Sequence, residues 1–102
     1  MKNKDYLEVL RNIENNPKKS QRALAKDLGF SLGKFNYVLN ALKKKGLIKF
    51  KNFKKNPNKL NYIYFLTPKG FTEKTKLTLR YLDRMAKEYE SLKKELEEIK
   101  KK

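Results

Sequence analysis

Ser20 to Lys45, SQRALAKDLGFSLGKFNYVLNALKKK, is the stretch whose reading decides the fold. It divides into two short helices about a tight turn. Ala25 is small, so the second helix can cross close over the first. Gly29 follows four residues later, where the turn needs a positive φ that glycine adopts without strain. Phe35 and Val38 come ten and thirteen residues after Ala25, on the inner face of the second helix. Leu24, Leu28 and Phe30 supply the remaining apolar contacts. This spacing predicts a helix-turn-helix, the unit that places its second helix in the DNA major groove. A plain three-helix bundle shares the apolar spacing, so a structural or protein-binding use of the unit stays open.

Working outward, Ser20 is an N-cap for a helix over Gln21 to Leu28, and Ser31 for a recognition helix over Leu32 to Lys45 (31–45 with its cap) that Gly46 closes. In the docking geometry of this unit, the start of the first helix faces a phosphate, which makes Ser20, Gln21 and Arg22 candidate backbone contacts. Leu32, Phe35, Val38, Leu39 and Leu42 form the inward stripe of the recognition helix. Gly33, Lys34, Asn36, Tyr37, Asn40, Lys43 and Lys44 are left facing outward or sideways. Asn pairs bidentately with adenine, Lys with guanine, and a Tyr ring touches a thymine methyl or a phosphate. Ser31, Lys34, Asn36, Tyr37 and Asn40 are therefore the candidate base readers, with Lys44 beside them. Gly33 costs about 1 kcal/mol of helix propensity relative to Ala. Either close approach to DNA or tight packing would account for it.

Before this unit, Tyr6, Leu7, Val9, Leu10 and Ile13 have helical spacing over Asp5 to Asn15, and Asn15-Asn16-Pro17 stops the helix. After it, residues 47–53 and 62–66 are rich in β-branched and aromatic residues and predict two strands. Between them, residues 54–61 are turn-rich, with three Lys and no acid. A hairpin directly after a recognition helix is a wing. The wing, 53–62, is expected to lie on phosphates or the minor groove, with Lys54, Lys55, Asn58 and Lys59 as contacts. Thr67-Pro68-Lys69-Gly70 then starts a last helix, with Thr as N-cap and Pro at its first position.

A heptad follows, with Leu82, Tyr89 and Leu96 at a and Met85, Leu92 and Ile99 at d. Glu88 and Glu95 occupy g; Lys93 and Lys100 occupy e. Side-by-side parallel chains would bring Glu88 to Lys93 and Glu95 to Lys100, whereas antiparallel chains would oppose like charges. A parallel two-chain coiled coil is expected, against the alternative of a helix folded back on its own domain. Leu77, Leu79 and Tyr81 widen the stripe near the domain and are expected to pack on the first helix. The fold class is thus mainly α with a small β-hairpin wing. A winged helix-turn-helix domain over 1–70 leads into a coiled-coil dimerisation helix over 71–102.

Charge decides the class of partner. The 102 residues carry 27 Lys and Arg against 11 Asp and Glu, a net +16. Residues 1–70 hold 17 basic and 4 acidic side chains, and between Leu28 and Thr72 there are ten Lys and no acid at all. So local an excess is the footprint of a polyanion-binding surface. There is no Cys and no His. Disulfides and thiolate or imidazole metal sites are thereby excluded, and no metal or other cofactor is expected. Paired carboxylates and Gly-rich phosphate loops are also missing, so no catalytic residue and no enzymatic activity are expected. No apolar run approaches a membrane span, and the start, MKNKDYLEVL, has no signal-peptide core, so a cytoplasmic protein is expected.

The segments SLGKFNYVLNALKKKGLIKFKNF, LNYIYFLTPKG and EYESLKKELEE together resemble winged-helix regulators of the MarR type, most closely the small branch called EPS-associated, after exopolysaccharide gene clusters. The resemblance implies a dimeric, sequence-specific, double-stranded-DNA-binding regulator of prokaryotic type. The chain is shorter than the usual MarR pattern and lacks its long N-terminal dimerisation helix, so dimerisation is expected from the C-terminal coil. The alternatives are a non-specific architectural nucleic-acid binder and a winged-helix protein-interaction adaptor. Operator, sign of regulation and small-molecule effector are not written in the residues.

Overall fold

In the computed structural model, α1 spans Asn3–Asn15, α2 Gln21–Leu28, α3 Leu32–Lys44, β1 Ile48–Asn56, β2 Lys59–Leu66 and α4 Pro68–Lys100. The backbone is described for residues 3–56 and 59–101, and the side chains for all of these except 52–56 and 59–62.

The helix ends follow from local chemistry. The Ser20 and Ser31 hydroxyls accept from the Ala23 and Lys34 N–H groups at 3.1 and 3.0 Å, satisfying donors that a helix start leaves orphaned. Gly29 and Gly46 close α2 and α3 at φ 70° and 73°. In each case the following N–H reaches back five residues, Phe30 to the Ala25 carbonyl at 2.9 Å and Leu47 to the Leu42 carbonyl at 3.0 Å. Helix α3 itself ends at Lys44, and Lys45 caps it just ahead of Gly46.

One core joins the elements. Leu7, Val9, Leu10 and Ile13 of α1 meet Leu24 and Ala25 of α2, and Phe35, Val38, Leu39 and Leu42 of α3. Full burial of each large apolar side chain contributes about 1.5–3 kcal/mol. Asn12 is buried with them because its Nδ2 donates to the Leu24 carbonyl at 3.2 Å, tying α1 to α2. Leu32, expected in the inward stripe, is 37% exposed. The whole of residues 31–34 faces solvent, and burial begins only at Phe35.

The two strands pair antiparallel, with Ile48 opposite Leu66 and Phe50 opposite Tyr64, and a register shift between Lys54 and Asn56. The ladder runs further than the sequence predicted. Lys54, Lys55, Lys59 and Asn61, read as turn, belong to strands up to Asn56 and from Lys59. Inter-strand hydrogen bonding outweighs the turn propensity of Asn and Lys there. The hairpin base is anchored by Ile48, Tyr64 and Leu66 in the core and by the Tyr64 N–H, which donates to the Pro17 carbonyl at 3.4 Å.

Helix α4 is clasped to the end of α3. Thr67 donates its hydroxyl to the Gly46 carbonyl at 2.6 Å and accepts from the Gly70 N–H at 3.0 Å. A Cβ on Gly70 would stand 2.0 Å from the Leu47 carbonyl oxygen, so only glycine permits this approach. Leu77 is buried in the core, Tyr81 packs at its edge, and Lys74 pairs with Glu14 of α1. Leu79, expected to pack with them, is exposed. It lies two positions from both Leu77 and Tyr81, on the opposite side of the helix. From Leu82 to Lys101 every residue is exposed. The 33-residue helix is about 50 Å long, which accounts for most of the 69 Å length of the molecule.

Candidate nucleic-acid interface

The buried stripe of α3 leaves the other side of the helix uncovered. Gly33, Asn36, Tyr37, Asn40 and Lys44 recur at spacings of three and four, so they lie along one face. Tyr37 is 68% exposed, and Gly33, Asn40 and Lys44 are exposed with it; Asn36 is half-buried. This face presents two amides, a phenol and an ammonium, the donors and acceptors that base edges match.

The lysines around this face are braced by neighbours. Lys34 Nζ lies 4.1 Å from the Phe30 ring centroid and 3.6 Å from Asp5 Oδ1. Lys43 lies 4.1 Å over Phe50, and Lys45 5.0 Å from the centre of the Tyr6 ring. Cations held over aromatic faces have already lost side-chain freedom, which favours a later contact with an anion. The Asp5 contact also corrects an expectation. The surface is carboxylate-free along the sequence from Leu28 to Thr72, but folding brings Asp5 of α1 onto Lys34.

At the start of α2 the candidates separate. Arg22 is exposed and open to a phosphate. Gln21 is half-buried, and its Nε2 donates to the Tyr64 hydroxyl at 2.5 Å, so it couples α2 to the wing base. Ser20 and Ser31 accept from the cap N–H groups through their hydroxyl oxygens, and each O–H proton is left to donate to a phosphate or a base edge. Lys54, Lys55 and Lys59 contribute strand backbone to the wing, their side chains lying outside the described residues; Asn58 lies wholly outside them. Lys49 and Lys51 add exposed charge to β1. The sequence reading passed over them, although strand alternation puts both opposite the buried Ile48.

Beyond the wing face, Asn3, Lys4, Leu7, Leu77, Arg80, Tyr81 and Arg84 line an open cleft of about 390 Å³ between α1 and α4. Among the described residues no helix is long and apolar enough to cross a membrane.

Residues 7–49 match the winged helix-turn-helix DNA-binding family. The fold is a winged helix. Its arrangement is shared with solved transcription regulators, among them the MarR family transcription regulator SP03579, with a TM-score of 0.68 at 19% identity over 84% of this chain and 56% of that one. PcaV, the transcriptional regulator from Streptomyces coelicolor in complex with its natural ligand, superposes with a TM-score of 0.69 at 20% identity, over 83% of this chain and 58% of that one. Streptococcus pneumoniae FabT in complex with DNA gives 0.62 at 22% identity, over 85% and 59%. The transcriptional repressor CouR, bound to a 23-mer DNA duplex, gives 0.64 at 24% identity, over 91% and 70%. The chain therefore spans less than two thirds of the length of PcaV and FabT. No curated protein matches it.

Proposed function

We propose that the chain is a sequence-specific DNA-binding transcriptional regulator of the MarR type, cytoplasmic and homodimeric. The recognition helix, 31–45, enters the major groove and the wing, 53–62, lies on phosphates or the minor groove. One observation carries this: the outward face of α3 is uncovered, polar and ringed by lysine, in a fold that FabT and CouR present to DNA. The chain acts by binding, not by catalysis. Placement in the EPS-associated branch rests on the segments between Ser31 and Gly70 together with EYESLKKELEE in α4.

Helix α4 supports the dimer. Leu82, Met85, Tyr89, Leu92, Leu96 and Ile99 are each 46–67% exposed along a single seam. A contiguous apolar stripe of this length calls for a partner surface. Glu88 and Glu95 at g meet Lys93 and Lys100 at e in a parallel pair, each exposed pair adding about 0.2–1 kcal/mol and the sign fixing the orientation. The one intrahelical ion pair among the described residues of this segment, Lys87 with Asp83 at 3.1 Å, lies at f and b, away from the seam. It leaves the g and e charges to a second copy.

Selection of bound duplexes from a random pool tests the whole proposal. The winners are expected to carry two inverted half-sites about 34 Å apart, one helical turn, or a multiple of it. A single unrepeated half-site, or a monomer by sedimentation at micromolar concentration, would refute the dimer; recovery of no preferred sequence would refute specific recognition.

A further inference from the structure

Four glycines punctuate the chain, and the fold accounts for three. Gly29 and Gly46 adopt the left-handed conformation, and Gly70 makes room for the Leu47 carbonyl. Gly33 does neither. It sits in the first turn of α3 outside the left-handed region, is exposed, and a Cβ built on it would meet nothing within 4 Å. Packing inside the chain is thus removed as its cause. Apart from proline, glycine is the poorest residue for a helix, so an unneeded one weakens the helix with no return inside the molecule.

Its place is informative. Gly33 begins the stripe that continues through Asn36, Tyr37, Asn40 and Lys44. The missing side chain leaves bare, exposed backbone, a notch at the N-terminal end of the stripe. We propose that Gly33 is a DNA-contact position: bare backbone here lets the first turn of α3 reach van der Waals contact with base edges, so that Asn36 and Tyr37, one turn on, come within hydrogen-bonding range. A methyl group in the notch lifts that end of the helix off the groove floor, and hydrogen bonds weaken steeply once stretched. This inference rests on the DNA-binding reading above.

The test uses the full chain with Gly33→Ala and Gly33→Leu, the duplex that the wild-type chain selects from a random pool, and a random-sequence duplex of equal length. Both variants should melt a few degrees higher than wild type, because Ala and Leu are better helix formers. On the selected duplex, Ala should lose about tenfold and Leu about a hundredfold or more in affinity, the scale of one or two base contacts. On random duplex both should stay within about twofold, since phosphate contacts dominate there. Unchanged or tighter binding of Gly33→Ala to the selected duplex overturns the inference and leaves the DNA-binding reading standing. So does a uniform loss on both duplexes, or a lowered melting temperature. If the wild-type chain selects no duplex, both fall together.

Discussion

At the scale of residues, the sharpest constraints sit where backbone meets backbone. Gly70 lets α4 start directly against Leu47, and Thr67 locks the junction from both sides. Gly70→Ala is expected to lower stability by about 1–3 kcal/mol, since the obstructing atom is a main-chain oxygen that cannot rotate away. Chemical denaturation measures it, and an unchanged midpoint would mean that the junction yields freely. Asp5 sets the charge beside the recognition helix. Asp5→Asn should tighten binding to any duplex by a few fold at low salt, and less as salt screens the field. A titration at two ionic strengths shows the trend; weaker binding would mean that the carboxylate positions Lys34 for contact rather than competing for it.

The recognition proposed above divides the labour between elements: the outward face of α3 is expected to distinguish bases, and the wing lysines to bind phosphate whatever the sequence. Asn36→Ala and Tyr37→Ala should each narrow the gap between selected and random duplex by about 1–3 kcal/mol. Lys54→Ala and Lys59→Ala should weaken both duplexes alike and reduce the salt slope of the dimer by about two each, one contact per subunit. The two patterns separate in a competition titration. If the wing lysines changed sequence preference instead, the wing would be reading a groove. At the α2 start Gln21 bonds Tyr64 and Arg22 is exposed, so in the proposed complex a phosphate contact is expected from Arg22 first.

For the whole molecule, the two ends answer different needs. The winged end gathers most of the positive charge, and α4 extends a bare apolar seam away from it. If each of two subunits neutralises about four to six phosphates, the log–log salt slope of DNA binding lies near −7 to −11. A slope shallower than about −3 would place the contact face elsewhere. Leu92→Lys puts a charge at the middle of the seam and should yield monomers with an intact winged domain. Sedimentation together with circular dichroism checks this, and a stable dimer in that variant would move the interface off the seam.

Serines before two helices, glycines after them and apolar residues at helical spacing announced α1 to α3 and both caps. These are signals carried within a few residues, which is why the linear chain displays them. The heptad of α4 was legible for the same reason. What depended on tertiary structure was every relation between distant segments. Asp5 reached Lys34, Gln21 bonded Tyr64, Gly70 met Leu47, and the hairpin ladder extended over residues whose local preference was for a turn. Gly33 shows the boundary between the two. Its cost was visible in the sequence, but only the empty space around it separates internal packing from an outside contact, because proximity is a property of the folded chain and not of its order.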